Sequence, residues 1–223
     1  MLLSLITILD FLLILAAHRL GSRYLLAMLV ANIILVSVFA SKLISVFGYV
    51  SNVGNIFYAS TFLCSSLLVE HSSAKETKHT IYAGVLAIFA YLLLSQITIH
   101  LPSLLGNESI SQQFAFLFSS SVSITIGSVL AFVAAQLFLI HVYDILKGRR
   151  NDKGFLQIAF RAIVTAAIAQ WIDSIIFFPI AFHTFSPKTI LEIASVGYVL
   201  KVCLAVLSVP IIYLSTLYEP QTT

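Results

Sequence analysis

Residues Phe160–Phe182 read FRAIVTAAIAQWIDSIIFFPIAF, a stretch that indicates a membrane-spanning helix with polar residues inside it. It is apolar and long enough to cross a lipid bilayer, which takes about 20 residues of α-helix. Yet it carries Arg161, Gln170 and Asp173. Because ionisable groups at membrane depth are costly, they are expected to face a partner or a wet cavity and to mark a function. The rest of the chain has to supply their partners.

The whole chain shares this apolar character. Of its 223 residues, 60% are hydrophobic and only 9% are charged, and the mean hydropathy is +1.04. A soluble domain could not solvate such a surface, so the composition predicts an integral membrane protein in contact with the lipid bilayer. The sequence has no disulfide or metal-site spacing and no phosphate-binding glycine loop. We therefore predict no cofactor, no metal and no nucleic-acid partner.

Seven segments are predicted to span the bilayer, all within a single domain of residues 1–223. They are Leu2–Ala17, Tyr24–Phe47, Asn52–Val69, Thr80–Ile99, Phe114–Leu146, Phe155–Phe182 and Ile190–Leu217. The predicted fold class is all-α, a polytopic membrane helical bundle. The fifth segment is longer than a bilayer requires, which predicts that it is tilted, kinked or extended beyond the membrane.

The positions of lysine and arginine predict the orientation in the cell membrane, because cytoplasmic connections collect positive charge. Eight basic residues follow the odd-numbered segments: Arg19, Arg23, Lys75, Lys78, Lys147, Arg149, Arg150 and Lys153. On the other side only Lys188 lies in a connection. The N-terminus is therefore predicted outside and the C-terminus in the cytoplasm. Asn107 begins an Asn-Glu-Ser sequon in a predicted external loop, which a glycosylating host could modify.

The fifth segment carries a small residue at every fourth position, which places these residues on one helix face. They are Ser119, Ser123, Gly127, Ala131 and Ala135. Such a face lets another backbone approach closely, either within the chain or between subunits of a homo-oligomer. Gln136, deep in the same segment, needs hydrogen-bond partners. Its amide is expected to bond a neighbouring helix or a ligand, and the sequence leaves both open.

The sixth and seventh segments carry polar groups at matching depth. Gln170, Asp173 and Phe177 follow helical three-and-four spacing and share a face. By helical rise, Asp173 lies roughly 14 Å and Lys201 roughly 17 Å from the same outer end. Their similar depth predicts a mutual ion pair. In a transporter, a polar substrate would compete with Lys201 for the carboxylate of Asp173.

Other charged residues are predicted nearer to the membrane surfaces. Arg161 is expected either to extend its side chain to water at the cytoplasmic end or to pair with Glu70, on the inner edge of the third segment. Lys42, close to the outer end of the second segment, is expected to extend its side chain to water in the same way.

Four stretches together resemble, in order and spacing, one family of membrane proteins. They are SKLISVFGYVSNVGNIFYASTFLCSSLLVE (Ser41–Glu70), AQLFLIHVYDILK (Ala135–Lys147), RAIVTAAIAQWIDSIIFFPIAF (Arg161–Phe182) and EIASVGYVLKVCLAVLSVPIIY (Glu192–Tyr213). The family that they resemble is that of queuosine precursor transporters, also described as vitamin-uptake-transporter-like. The resemblance implies a six-helix core over residues 24–218, to which residues 1–18 look like an added helix.

Most polar positions of the family have a counterpart in this sequence. The matching residues are Lys42, Glu70, Gln136, Arg161, Thr165, Gln170, Asp173, Ser174, Phe177, Glu192, Tyr198 and Lys201. Three carboxylates that the family usually carries are replaced here, by Ser66, Leu139 and Gly197. The chain therefore resembles a divergent member of the family.

The resemblance implies a transporter, not an enzyme, which imports deazaguanine-type bases or queuine as precursors of queuosine or archaeosine. A carboxylate can accept two adjacent N–H donors of a guanine-like edge, an amide can read its carbonyl, and aromatic rings can stack on its face. The candidate substrate-binding residues are Asp173, Gln170, Gln136, Lys201, Trp171, Phe177, Tyr198, Glu70, Arg161 and Lys42.

Two alternatives remain. The chain could be the substrate-binding subunit of an energy-coupling vitamin importer, whose six-helix fold the family is thought to resemble, or a carrier of another purine-like or vitamin solute. A third hypothesis is an enzyme or a scaffold, but no catalytic motif in the sequence supports it.

Overall fold

A computed structural model describes residues 2–39, 42–46, 48–103, 107–118, 122–149, 154–181, 183 and 186–217. Within these residues the chain forms a bundle of α-helices, which confirms the predicted all-α fold class. It also contains one short β-hairpin, which was not predicted. The elements are α1 (Leu2–Leu20), α2 (Ser22–Phe39), β1 (Leu43–Val46), β2 (Tyr49–Asn52), α3 (Gly54–His71), α4 (Ala74–Ile99), α5 (Glu108–Phe118), α6 (Val122–Arg149), α7 (Phe155–Ala181) and α8 (Pro187–Thr216).

Six of the described helices are long and apolar enough to cross a membrane. The segments that meet this criterion are Leu2–Leu20, Ser22–Phe39, Ala74–Ile99, Ile124–Gly148, Phe155–Ala181 and Ala194–Thr216. The helix α3 does not meet this apolar criterion, so a total of seven spans stays a prediction. Its 18 residues would extend about 27 Å at helical rise.

The helix α3 lies at the centre of the bundle and packs against α1, α2, α4, α6 and α8. It is buried along nearly its whole length, from Gly54 to Val69. A helix surrounded by protein does not need a lipid-facing apolar surface, so it can carry polar groups such as Ser60, Thr61 and Ser65. This explains why the helix is less apolar than its neighbours and why it can bring polar side chains to a buried site.

The predicted second span, Tyr24–Phe47, is wrong at its C-terminal end. The helix α2 ends at Phe39, and β1 and β2 then pair antiparallel, with Val46 opposite Tyr49. Valine, isoleucine and tyrosine around Gly48 favour strands over helix, and Gly48 has φ +85°, a value that glycine adopts without strain. Lys42 consequently lies outside a helix, at the start of the hairpin.

The predicted fifth span, Phe114–Leu146, corresponds to two helices rather than one. The short helix α5 ends at Phe118 and α6 begins at Val122. Ser119, one of the five small residues, lies outside the described residues, and so do Ser120 and Ser121. The excess length of the predicted span is therefore taken up by a separate helix.

One end of the bundle brings together the C-terminal ends of α1, α3, α6 and α8. The rings of His18 and His71 lie 4.2 Å apart, His71 Nε2 lies 2.9 Å from Ser215 Oγ, and Lys147 Nζ donates to the Val69 carbonyl at 2.7 Å. We call this the basic end, because the lysines and arginines that follow α1 and α3 begin here. The β-hairpin and α5 lie at the opposite end, which we call the hairpin end.

Candidate functional site

A cavity of about 370 Å³ lies among the helices in the half of the bundle nearer to the hairpin end. Its wall is formed by α2, α3, α4, α5, α6, α7 and α8, together with Asn52 of β2. The polar or aromatic residues that line it are Ser37, Asn52, Asn55, Tyr58, Thr61, Tyr91, Phe116, Phe118, Thr125, Ser128, Phe132, Asp173, Phe177 and Lys201. A volume of this size is in the range of small-molecule sites, about 300–1,000 Å³.

The charged part of the cavity wall is an ion pair between α7 and α8. Lys201 Nζ donates to Asp173 Oδ2 at 2.8 Å, and the two side chains are 8% and 6% exposed. The predicted partnership of these two residues is therefore confirmed. Neither charge could be buried so deeply alone, because an unpaired ion loses its hydration without compensation.

Tyr58 of α3, which also lines the cavity, completes this arrangement. Its hydroxyl donates to Asp173 Oδ1, so that both carboxylate oxygens accept hydrogen bonds. Lys201 Nζ also lies 4.5 Å from the centroid of the Tyr58 ring, a cation–π contact. Three helices thus meet at one carboxylate that faces the cavity.

Two buried amides outside the cavity connect the helices that form its wall. Gln170 Nε2 donates to the Lys201 carbonyl at 3.3 Å and ties α7 to α8. Gln136 Nε2 donates to Thr61 Oγ1 at 3.2 Å and ties α6 to α3. Neither amide lines the cavity, but Thr61 does. The two side-chain carbonyl oxygens, Oε1 of Gln136 and of Gln170, are buried without a hydrogen-bond partner among the described residues.

The predicted aromatic residues are separated by the structure. Phe177 lines the cavity. Trp171 is 56% exposed on the outer surface of α7, and Tyr198 is half-buried on α8; neither is among the lining residues. The structure thus brings one of the three predicted stacking rings to Asp173, and it adds Tyr58, Tyr91 and rings of α5 and α6 that the sequence analysis did not single out.

Glu70 and Arg161 form a second polar cluster, at the basic end. Arg161 Nη2 donates to Glu70 Oε1 at 2.5 Å, and the Tyr143 hydroxyl donates to Glu70 Oε2 at 2.9 Å. Of the two possibilities for Arg161, pairing with Glu70 is therefore the correct one. Twelve residues of α7 separate Arg161 from Asp173 in the sequence, about 18 Å at helical rise. This cluster joins α3, α6 and α7 away from the cavity.

Lys42 is exposed at the hairpin end, and its backbone N–H donates to the Phe39 carbonyl at 3.1 Å. It does not line the cavity.

The cavity-lining residues of β2 and α3 were not predicted from the sequence. A signal that could have identified them is the three-residue spacing of Asn52, Asn55, Tyr58 and Thr61. Residues so spaced fall near one face where the chain is helical. All four line the cavity.

Comparison with known proteins gives one family and one curated relative. The family described as "Putative vitamin uptake transporter" matches residues 52–215. A "Probable queuosine precursor transporter" of Bacillus subtilis (strain 168) is 25% identical over 175 residues, which cover 77% of this chain and 74% of the relative. No solved structure matches the chain. The family match includes α3 to α8, and it leaves α1 and α2 outside.

Proposed function

Because the chain belongs to the vitamin uptake transporter family, we propose that it carries deazaguanine-type bases, precursors of queuosine or archaeosine, into the cytoplasm. The curated relative is named as a probable transporter of queuosine precursors, which supports this substrate class. The observation that carries the proposal is the buried Asp173 carboxylate, held between Lys201 and Tyr58 on the wall of a cavity of small-molecule size.

The chemistry of this wall suits a guanine-like edge. Asp173 can accept two adjacent N–H groups in parallel, a charge-assisted arrangement that is stronger than neutral hydrogen bonds. A base bound to Asp173 would replace the hydrogen bonds that Tyr58 and Lys201 donate to this carboxylate. The ammonium group of Lys201 could then donate to the carbonyl oxygen of the base. The ring of Phe177 is available for stacking, which is worth about 1–3 kcal/mol for a base.

The direction of transport rests on the orientation that we propose for the bundle. With the basic end in the cytoplasm, the cavity lies in the outer half of the membrane. The cluster of Glu70, Arg161 and Tyr143 then closes the inner side. In this orientation the N-terminus is outside and the C-terminus inside, and a substrate would enter the cavity from the outer side. Transport in this way requires no catalytic step.

Substitution of Asp173 tests the proposed site. We expect Asp173→Asn to abolish uptake of a radiolabelled deazaguanine base into cells, because the amide presents only one acceptor oxygen and no charge to the base. Asp173→Glu keeps the charge and should retain a folded protein with weakened uptake. Asp144→Asn is the matched control, since Asp144 is an exposed carboxylate of α6, and it should transport like the unmodified protein. Normal uptake by Asp173→Asn would refute the role of the carboxylate.

Binding can be measured separately from transport. A ligand that binds the folded state raises the melting temperature of the purified protein by mass action. We expect deazaguanine bases to produce this rise, and adenine and vitamins to produce none. The absence of a shift with every deazaguanine base would contradict the proposed substrate class. Uptake by this chain in cells without partner ATPases would in turn exclude the alternative of an energy-coupling importer subunit.

A further inference from the structure

Asp10 of α1 lies in a third buried polar group, away from the cavity and from the cluster of Glu70 and Arg161. Its side chain is beside those of Asn32 on α2 and Ser60 on α3. Asp10 is 5% exposed, and Asn32 and Ser60 are fully buried. Phe11, Ile14 and Leu63 belong to the hydrophobic core around the same helices. Three helices therefore converge on a carboxyl group in an apolar part of the bundle.

Two oxygen atoms in this group have no hydrogen-bond partner among the described residues. They are Asp10 Oδ2 and Asn32 Oδ1. The Asn32 Nδ2 group donates to the Met28 carbonyl at 3.1 Å, and the Ser60 hydroxyl donates to the Ile56 carbonyl at 3.2 Å. Buried acceptors without partners are rare in folded proteins and call for an explanation, such as a bound ion or proton.

Neither ion pair formed by the described residues includes Asp10. The titratable neighbour that faces it is the fully buried thiol of Cys64 on α3, a group that is neutral when protonated. An ionised carboxylate at this position would thus be buried without a compensating cation, which is unfavourable. One proton on Asp10 removes the charge and supplies a donor for an acceptor such as Asn32 Oδ1.

From this geometry we propose that Asp10, with Asn32 and Ser60, is a proton-binding site that couples proton entry to substrate movement. The O–H bond forms on Asp10 when the site is open to the outside and breaks when it is open to the cytoplasm, so that one proton crosses and no other group is consumed. A metal cation fits less well, because these three side chains offer four oxygen atoms, fewer than the six to eight that a hard divalent cation takes.

The helix α3 supplies the link between this site and the cavity. Ser60 lies beside Asp10, while its neighbour Thr61 and, on the same turn, Tyr58 line the cavity. A base that displaced Tyr58 from Asp173 would change the contacts of this helix, which also carries Ser60 of the proton site. Asp10 and Asn32 lie outside the matched family region, so the coupling belongs to the N-terminal helices of this chain. The coupling, but not the proton site, rests on the proposed transport function.

Infrared spectroscopy of the purified protein tests the proton site without any substrate. We expect the carbonyl band of a protonated, buried carboxylic acid at neutral pH. The band should be absent from Asp10→Asn and retained in the control Asp144→Asn. Asn32→Leu should keep the band and shift its frequency, because it removes a hydrogen-bonding neighbour of the acid group. Absence of the band from the unmodified protein, or its persistence in Asp10→Asn, would overturn the assignment.

Reconstituted vesicles test the coupling. With a pH gradient, acid outside, the unmodified protein should accumulate a deazaguanine base above its external concentration, and Asp10→Asn should only equilibrate it while retaining exchange of labelled for unlabelled base. Equal accumulation by both proteins would overturn the coupling. Accumulation driven by a sodium gradient, or stabilisation by NaCl over KCl that Asp10→Asn abolishes, would overturn the proton as occupant. Failure of the unmodified protein to move any base would refute the proposed function, and the infrared result would still decide the proton site.

Discussion

Lys201 and Asp173 depend on each other at the level of single residues. Removing one partner of a buried ion pair leaves an uncompensated charge and costs about 3–5 kcal/mol, whereas replacing both by apolar groups of similar size is often neutral. We therefore expect that apolar residues could replace the pair without loosening α7 from α8. In the proposed function, the pair presents a carboxylate to the cavity, where a ligand would take over the hydrogen bonds of Tyr58 and Lys201.

We expect Lys201→Met to lower the stability of the folded protein by about 3 kcal/mol, because Asp173 then lacks its cation. The double variant Asp173→Leu/Lys201→Met should recover most of this loss, since no charge remains to be compensated, but it should not bind a deazaguanine base. Thermal unfolding of the purified proteins, with and without the base, measures both effects. A single variant as stable as the unmodified protein would contradict this account.

The sequence allowed the Asp173–Lys201 pair to be predicted, because depth along two spanning helices can be counted from their ends. The contribution of Tyr58 could not be predicted in this way. It depends on which face of α3 turns towards α7, and the order of residues within one helix does not contain that information. Trp171 shows the same limit: it lies two residues before Asp173 in the sequence, yet it is 56% exposed on the outer surface of α7.

At the level of elements, α6 and α7 pack closely against each other. A Cβ atom at Gly127 would lie 3.3 Å from Ile180 Cγ2 and 3.4 Å from the Phe177 carbonyl oxygen. Ala131 and Ala135, one and two turns further along α6, are fully buried. The described members of the small-residue series thus serve contacts within the chain, as small residues do where two membrane helices approach closely.

The substitution Gly127→Leu should therefore destabilise the protein by about 1–3 kcal/mol, the usual cost of forcing extra atoms into a packed interface. It should also weaken binding of the base, because the contact is made beside Phe177 of the cavity wall. Gly148→Ala is the matched control on the same helix, since a Cβ there meets nothing within 4 Å. Unfolding temperatures and ligand-induced shifts of both variants provide the measurement. Equal behaviour of the two glycines would refute this packing account.

The presence of the long helices could be predicted from the sequence, but the ends of the second and fifth predicted spans could not. A long apolar run from Tyr24 to Phe47 satisfies the length rule for a span, and hydropathy alone does not distinguish its last residues from a hairpin. Strand-favouring residues around Gly48 carried the missing signal. The excess length of the fifth predicted span was visible in the sequence. Whether a long segment tilts or ends and restarts depends on its packing against neighbours such as α4, where Gln96 Nε2 donates to the Phe118 carbonyl.

For the molecule as a whole, the connections rich in lysine and arginine come together at one end of the bundle. The lysines and arginines that follow α1 and α3 begin at the end of the bundle where His18, His71 and Ser215 meet. Family membership and fold class could be predicted because both depend on patterns spread over most of the chain. The cavity and the Asp10 group could not, since each combines side chains from three or more helices, and their meeting is a property of the folded bundle alone.

The orientation of the bundle can be tested by chemical labelling of single cysteines. In a background of Cys64→Ala and Cys203→Ala, Ser103→Cys places a thiol on an exposed residue beyond α4 at the hairpin end, and Lys75→Cys places one on an exposed residue at the basic end. Because positive charge is retained in the cytoplasm, a membrane-impermeant thiol reagent should label Ser103→Cys in intact cells and Lys75→Cys only after permeabilisation. The reverse pattern would invert the proposed topology and place the cavity on the cytoplasmic side, which is incompatible with reception of substrate from outside.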